Sequence, residues 1–161
     1  MSATRSPHVL IVEDNPVDFR ILQYAFSNTG IPHEVHGTDD GESAMALLRA
    51  HLESPELTIP RLILLDLNLP RMSGIEVLRA IKANEQLRRI PVIVISSSQF
   101  QSDIAGAYDS GASLYVRKPN DLDALEDLIA AIAKAWLKYG LGADRAAMNA
   151  RPPDGLLHQA G

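Results

Sequence analysis

The chain has 161 residues, 46% of them hydrophobic and 22% charged, a balance that suits one globular domain with a real core. Its formal net charge of −5 gives no general affinity for nucleic acid or an anionic membrane surface. There are no cysteines, which excludes disulfides and thiolate metal sites and fits a cytoplasmic protein; the opening MSATRSPH lacks a signal-peptide core, and no apolar run approaches the roughly 20 residues of a membrane span.

Along the chain, short apolar runs alternate with amphipathic patterns. HVLIV (His8–Val12) is short and β-branched and reads as a buried strand. Asn15-Pro16 supplies an N-cap and a proline at the first helical position. The helix that follows is expected to turn Val17, Ile21, Leu22 and Ala25 inward and to stop near Asn28–Gly30. HEVHG (His33–Gly37) is a weaker, less buried strand. DDGESAMALLRAHL is a helix with Ala44, Leu47 and Leu48 inward, followed by the polar, proline-marked loop Glu53–Pro60. RLILLD (Arg61–Asp66) is a third strand, and Ser73-Gly74 opens a helix carrying Ile75, Leu78 and Ile81. IPVIVIS (Ile90–Ser96) is the clearest buried strand. FQSDIAGAYDSG is a short, glycine-interrupted helix of low intrinsic stability. SLYVRK (Ser113–Lys118) is a fifth strand, and Asn120 or Asp121 caps a last helix running to about Tyr139, before Gly140.

Five β/α units predict an α/β domain with a doubly wound parallel sheet covered on both faces. The common order for five such strands is 2-1-3-4-5, with ligands at the carboxyl ends near the switch between strands 1 and 3. In that order the strand ends assemble a constellation. Strand 1 ends in Glu13-Asp14, strand 3 in Asp66, strand 4 in Ser96 and strand 5 in Lys118-Pro119. Three converging carboxylates raise one another's pKa or demand a cation, and Mg²⁺ suits one or two carboxylates plus phosphate oxygens. A central aspartate can attack a phosphoryl group and hold it as an acyl phosphate. Asp66 is the candidate nucleophile, with Asp14 and Glu13 as metal ligands and the Asn68 carbonyl able to complete the set. Lys118 and the Ser96 hydroxyl can bind phosphoryl oxygens. Taken singly, each feature has a bland explanation: a turn aspartate, a strand-stopping Lys-Pro, an acidic pair facing a helix dipole. Their joint occurrence in the required order favours the chemistry.

The stretches VLIVEDNPVD, LILLDLNLPRMSGIEVL, PVIVISSS and GASLYVRKP, with the spacing between them, resemble the receiver domain of two-component response regulators over roughly Val9 to Lys138. The resemblance implies a flavodoxin-like fold and a phosphoacceptor at Asp66 that takes its phosphoryl group from a sensor histidine kinase. It implies metal ligands at Glu13, Asp14, Asp66 and the Asn68 carbonyl, a hydroxyl at Ser96, a switch aromatic at Tyr115, and Lys118 followed by a cis Pro119. Such a chain is a phosphoacceptor switch, catalysing only its own phosphorylation and dephosphorylation. It signals through the face of the fourth helix, fifth strand and fifth helix. The long stretch before strand 3, Trp136 and the SSS run resemble the small single-domain regulators that partner phytochrome-type histidine kinases.

Rival readings fit less well. A flavin or nucleotide carrier needs a phosphate cradle after strand 1, where this chain has Glu13-Asp14. A haloacid-dehalogenase-type phosphatase needs a second acid two residues past the nucleophile, where this chain has Asn68. A receiver that signals without phosphate would not need the acid set, Ser96 and Lys118. Residues 1–139 are expected to form the receiver domain and 140–161 a flexible or dimer-forming tail, with no output domain after the fifth helix. Leu122, Leu125, Ile129, Ile132 and Trp136 form a helical stripe. The helix end, with Ala135, Trp136, Leu137 and Tyr139, is expected to project past the sheet and, with Leu141, Leu156 and Leu157, to support a homodimer.

Overall fold

A computed structural model describes residues 6–54 and 56–140. Five parallel strands lie in the order β2-β1-β3-β4-β5. They are β1 (His8–Val12), β2 (Glu34–Thr38), β3 (Leu62–Leu65), β4 (Val92–Ser96) and β5 (Leu114–Arg117), and the helices between and after them are α1 (Pro16–Ser27), α2 (Gly41–Glu53), α3 (Gly74–Ala83), α4 (Gln101–Asp109) and α5 (Leu122–Ile132). The α/β sheet expected from the sequence is the one observed. No helix among the described residues is long and apolar enough to cross a membrane.

Alternation along the strands divides the core into two layers. Val9, Ile11, Leu64, Ile93 and Ile95 pack with Leu22, Phe26, Leu125, Ile129 and Trp136 from the α1 and α5 side. Leu10, Val12, Ile63, Leu65, Val92 and Val94 pack with Leu48, Leu78, Ile81 and Ile104 from α2, α3 and α4. The central strands β3 and β4 are buried along their whole length, whereas β2, at the edge, is half-buried or exposed throughout. Continuous aliphatic runs fit the first pattern and HEVHG the second.

Local chemistry sets the helix starts. Asn15 Oδ1 accepts from the amides of Val17 and Asp18, and Pro16 opens α1, where a missing N–H costs nothing. Ser73 and Glu76 form a reciprocal capping box at α3. Asp40 and Asp121 cap α2 and α5. Helix α4 has no side-chain cap and buries only Ile104 and Ala107, in keeping with its weak sequence pattern.

Four expectations need correction. Val17 is 63% exposed, because α1 rests on Leu22, Ala25 and Phe26 and its first turn stands clear of the sheet. Leu122 is likewise exposed at the start of α5. The end of the last helix does not project into solvent: Ala135, Trp136 and Leu137 are buried and belong to the α1/α5 layer, and only Tyr139 is open. A change of helix type explains this. From Ala133 to Lys138 the backbone is π-helical, with the Tyr139 amide donating to the Lys134 carbonyl at 3.0 Å. The wider turn sets three successive side chains, Ala135, Trp136 and Leu137, inward together. Finally, no peptide bond among the described residues is cis, so Lys118–Pro119 is trans, the isomer that X–Pro bonds favour by about 0.5–1 kcal/mol. The tail expectation, with Leu141, Leu156 and Leu157, lies outside the described residues.

Candidate functional site

The carboxyl ends of β1, β3, β4 and β5 converge as the sequence order required. Val12 pairs with Leu65 in register, and the Asp66 amide donates to the Val12 carbonyl at 3.1 Å. This sets Glu13 and Asp66 side by side. Carboxylate oxygens of Glu13, Asp14 and Asp66 all lie within 4.8 Å of one another. Glu13 and Asp66 are buried and Asp14 is exposed. The Asn68 amide donates to Asp66 Oδ1 at 3.0 Å, which fixes the carboxylate against the turn after β3. Gly74 is essential to that turn. A Cβ there would fall 2.4 Å from the Asp66 carbonyl and 2.6 Å from Leu67 Cα, so α3 starts hard against the acid's backbone.

Strand β5 delivers the cation. The Lys118 amide donates to the Ser96 carbonyl at 2.8 Å, and its ammonium reaches back across the site. Nζ stands 2.6 Å from Glu13 Oε1, 3.2 Å from Asp18 Oδ2 and 3.6 Å from Asp66 Oδ2. One ammonium thus faces an excess of carboxylates. Burial pushes the Glu13 carboxyl up to about 7, helped by the hydrogen bond and charge of Asp66, while Lys118 opposes the shift. Burial acts to lower the Lys118 pKa, but its hydrogen bond to Glu13 and the surrounding acids hold it above the usual lysine value.

Ser96 ends β4, fully buried. Its Oγ accepts from the Ser98 amide at 3.2 Å, and the Ser98 carbonyl accepts from the Tyr115 hydroxyl at 2.8 Å. Tyr115 is fully buried on β5, and its amide donates to the Tyr108 hydroxyl of α4 at 3.0 Å. The Ser98 hydroxyl donates in turn to Asp103, also on α4. A continuous polar chain therefore runs from the Ser96 hydroxyl to α4.

The structure brings together Glu13, Asp14, Asp66, Asn68 and Lys118, and links Ser96 to Tyr115. Sequence reasoning missed Asp18, which takes a second hydrogen bond from Lys118 at 3.2 Å. Its signal was available: it lies one helical turn beyond Asp14 in VEDNPVD, on the helix that starts at the site.

An all-oxygen set of clustered carboxylates, two of them buried and one pushed up to about 7, is what a hard divalent cation fits. The single nearby ammonium cannot neutralise the cluster by itself.

Comparison with known proteins agrees with this geometry. The response regulator receiver domain family matches residues 9–130. The response regulator Rcp1 of Synechocystis is 38% identical over 130 residues, covering 81% of this chain and 88% of its own. Its Mn²⁺-bound crystal structure superposes with a TM-score of 0.74, covering 82% of this chain and 95% of that one. The phosphorylated cyanobacterial phytochrome response regulator RcpA is 42% identical with a TM-score of 0.77, covering 83% and 96%. The bacteriophytochrome response regulator AtBRR is 32% identical with a TM-score of 0.65, covering 79% and 91%. A parallel sheet in the order 2-1-3-4-5 that gathers acids, a hydroxyl and a lysine at its carboxyl edge, with a family match over most of its length, places this chain in the response regulator receiver domain family.

Proposed function

We propose that Asp66 accepts a phosphoryl group from a sensor histidine kinase of the phytochrome type, and that the chain works as a Mg²⁺-dependent switch in the cytoplasm. The observation that carries this reading is the Asp66 carboxylate itself. It is buried at the end of a central strand, with two acids within 4.8 Å and the Lys118 ammonium 3.6 Å away. The kinase assignment is supported by two of the similar structures, the phytochrome response regulator RcpA and the bacteriophytochrome response regulator AtBRR.

An Asp66 oxygen attacks phosphorus, and the bond from phosphorus to the donor imidazole breaks. The bonding pair leaves on nitrogen, which takes a proton from water, and an acyl phosphate remains on Asp66. Hydrolysis reverses the charge: water attacks phosphorus, and the carboxylate and inorganic phosphate are released. Glu13, Asp14, Asp66 and the Asn68 carbonyl would hold Mg²⁺, which supplies neutralisation of the transferring oxygens. Lys118 exchanges part of its bonding to Glu13 for a phosphoryl oxygen, and Ser96 donates its hydroxyl to another. Movement of Ser96 pulls on Ser98, and through it on Tyr115 and α4, which carries the change to the α4–β5–α5 face.

A cleft between α1 and α5, lined by Asp18, Ile21, Lys118, Asn120 and Leu122, lies beside the site. With Leu122 exposed in its lining, it offers the donor protein apolar contact next to the acceptor. Self-association through the α4–β5–α5 face belongs to the same proposal, supported by the exposed Phe100, Tyr108 and Tyr139. Light scattering of the full chain with and without a phosphoryl mimic tests it, and a monomer at high micromolar concentration under both conditions would rule it out.

Incubation with a small acyl phosphate and Mg²⁺, followed by mapping of the adduct, tests the acceptor. Label is expected on Asp66 and lost in Asp66→Asn. Wild-type labelling of Asp66→Asn, or labelling in excess chelator, contradicts the reading.

A further inference from the structure

The opposite end of the sheet carries a second cluster that the phosphoryl site does not use. His8 opens β1 and Glu34 opens β2, and the parallel register pairs His8 with Glu34 and Leu10 with His36. These residues share the sheet face that packs toward α2. The imidazoles of His8 and His36 stack with their centroids 4.8 Å apart and their planes within 1°. Glu34 Oε2 stands 3.4 Å from His8 Nε2 and 3.8 Å from His36 Nε2. One ligand atom from each of the three residues lies within 4.8 Å of the others. His51 of α2 sets its ring edge-on to both, at 6.1 and 6.3 Å, and its Nδ1 is 2.7 Å from the Thr58 carbonyl.

We infer that His8, Glu34 and His36 form a binding site for a borderline divalent transition-metal ion of the Zn²⁺ class. Two imidazole nitrogens and one carboxylate, with a position left open, are the donor set that Zn²⁺ takes, whereas Mg²⁺ and Ca²⁺ require oxygen ligands. Tetrahedral bonds of about 2.0–2.1 Å hold neighbouring ligand atoms roughly 3.3 Å apart. The Glu34–His8 pair stands nearly at that spacing, and His36, whose ring is stacked parallel to that of His8, must approach by turning out of the stack to aim its nitrogen at the same ion. That approach is open to it, because the side chain is 43% exposed on an edge strand. Glu34 is 59% exposed, so an ion enters from solvent, while His8, at 11%, anchors the inner side. The site is distinct from Asp66. Five residue steps along β1, about 17 Å, separate His8 from Glu13. An ion there would also clip β2, the least buried strand, to β1.

The test is a Zn²⁺ titration of the untagged full chain by calorimetry, with X-ray absorption at the zinc edge. Asp14→Ala serves as host to weaken competition from the acidic cluster. Zinc with imidazole neighbours is expected in wild type and in the host. Affinity should fall at least tenfold when His36→Gln or Glu34→Gln is added, and the zinc-induced rise in melting temperature should vanish. Because Glu34 is exposed, its substitution keeps the test open if the histidine variant folds poorly. A zinc spectrum with oxygen neighbours only, or unchanged affinity in both variants, overturns the site.

Discussion

Lys118 Nζ lies 2.6 Å from Glu13 Oε1, a full ångström closer than its 3.6 Å to Asp66 Oδ2. The lysine is thus held chiefly by an acid proposed to bind metal rather than by the proposed acceptor. Removing it leaves buried carboxylates facing one another with their nearest cation gone. Lys118→Met is expected to lose about 1–3 kcal/mol of stability in chelator and to recover much of it with Mg²⁺. Urea unfolding under both conditions measures this, and a variant as stable as wild type in chelator would disprove it.

Gly74 tests how tightly α3 holds the acceptor. An added methyl would meet the Asp66 carbonyl at 2.4 Å, which is backbone and cannot swing aside. Gly74→Ala is expected to cost about 1–3 kcal/mol, as overpacking does, and to slow labelling of Asp66. A variant with wild-type stability and labelling rate would show that the turn yields freely.

Tyr115 is the proposed relay. Tyr115→Phe removes the donor to the Ser98 carbonyl at a cost of about 0.5–1.5 kcal/mol. Labelling of Asp66 should proceed near the wild-type rate, while amide shifts in α4 on adding beryllium fluoride should shrink. Undiminished α4 shifts would mean that the signal does not pass through the hydroxyl.

Lys82 gives a pH-dependent prediction away from the site. Its ammonium donates to the carbonyls of Arg88 and Ile90, at 3.0 and 2.8 Å, and burial lowers its pKa to about 8. The folded value lies below the unfolded 10.5, so between about pH 8 and 10.5 the unfolded chain binds more protons. This group's contribution to stability therefore rises with pH across that window and is flat below it. Relative to Lys82→Met, wild type should gain about 1–2 kcal/mol from pH 8 to 10.5, the figure discounted for partial solvent screening. A constant difference in urea melts across that range would refute the shift.

Much of this was legible in the sequence because it is encoded locally. Runs such as VIVIS bury both faces of a strand, and Asn15-Pro16 and Ser73 with Glu76 start helices through bonds within a few residues. Given the order 2-1-3-4-5 that is common for five such strands, the acids, the hydroxyl and the lysine meet at one edge. Asp18 stood one helical turn beyond Asp14, a position that hinted at the site, but its partner Lys118 is 100 residues away and only the fold brings the two together.

The sequence by itself therefore determined the elements and the end of each strand that carries the chemistry, because periodicity, capping and strand-end position are properties of neighbouring residues. Only the tertiary structure decided which acid Lys118 prefers. It alone buried Trp136 through a π-helical turn and stacked His8 on His36 across two strands. Each of these depends on the register and approach of segments far apart in the chain, where differences of an ångström choose between partners that the sequence leaves equivalent.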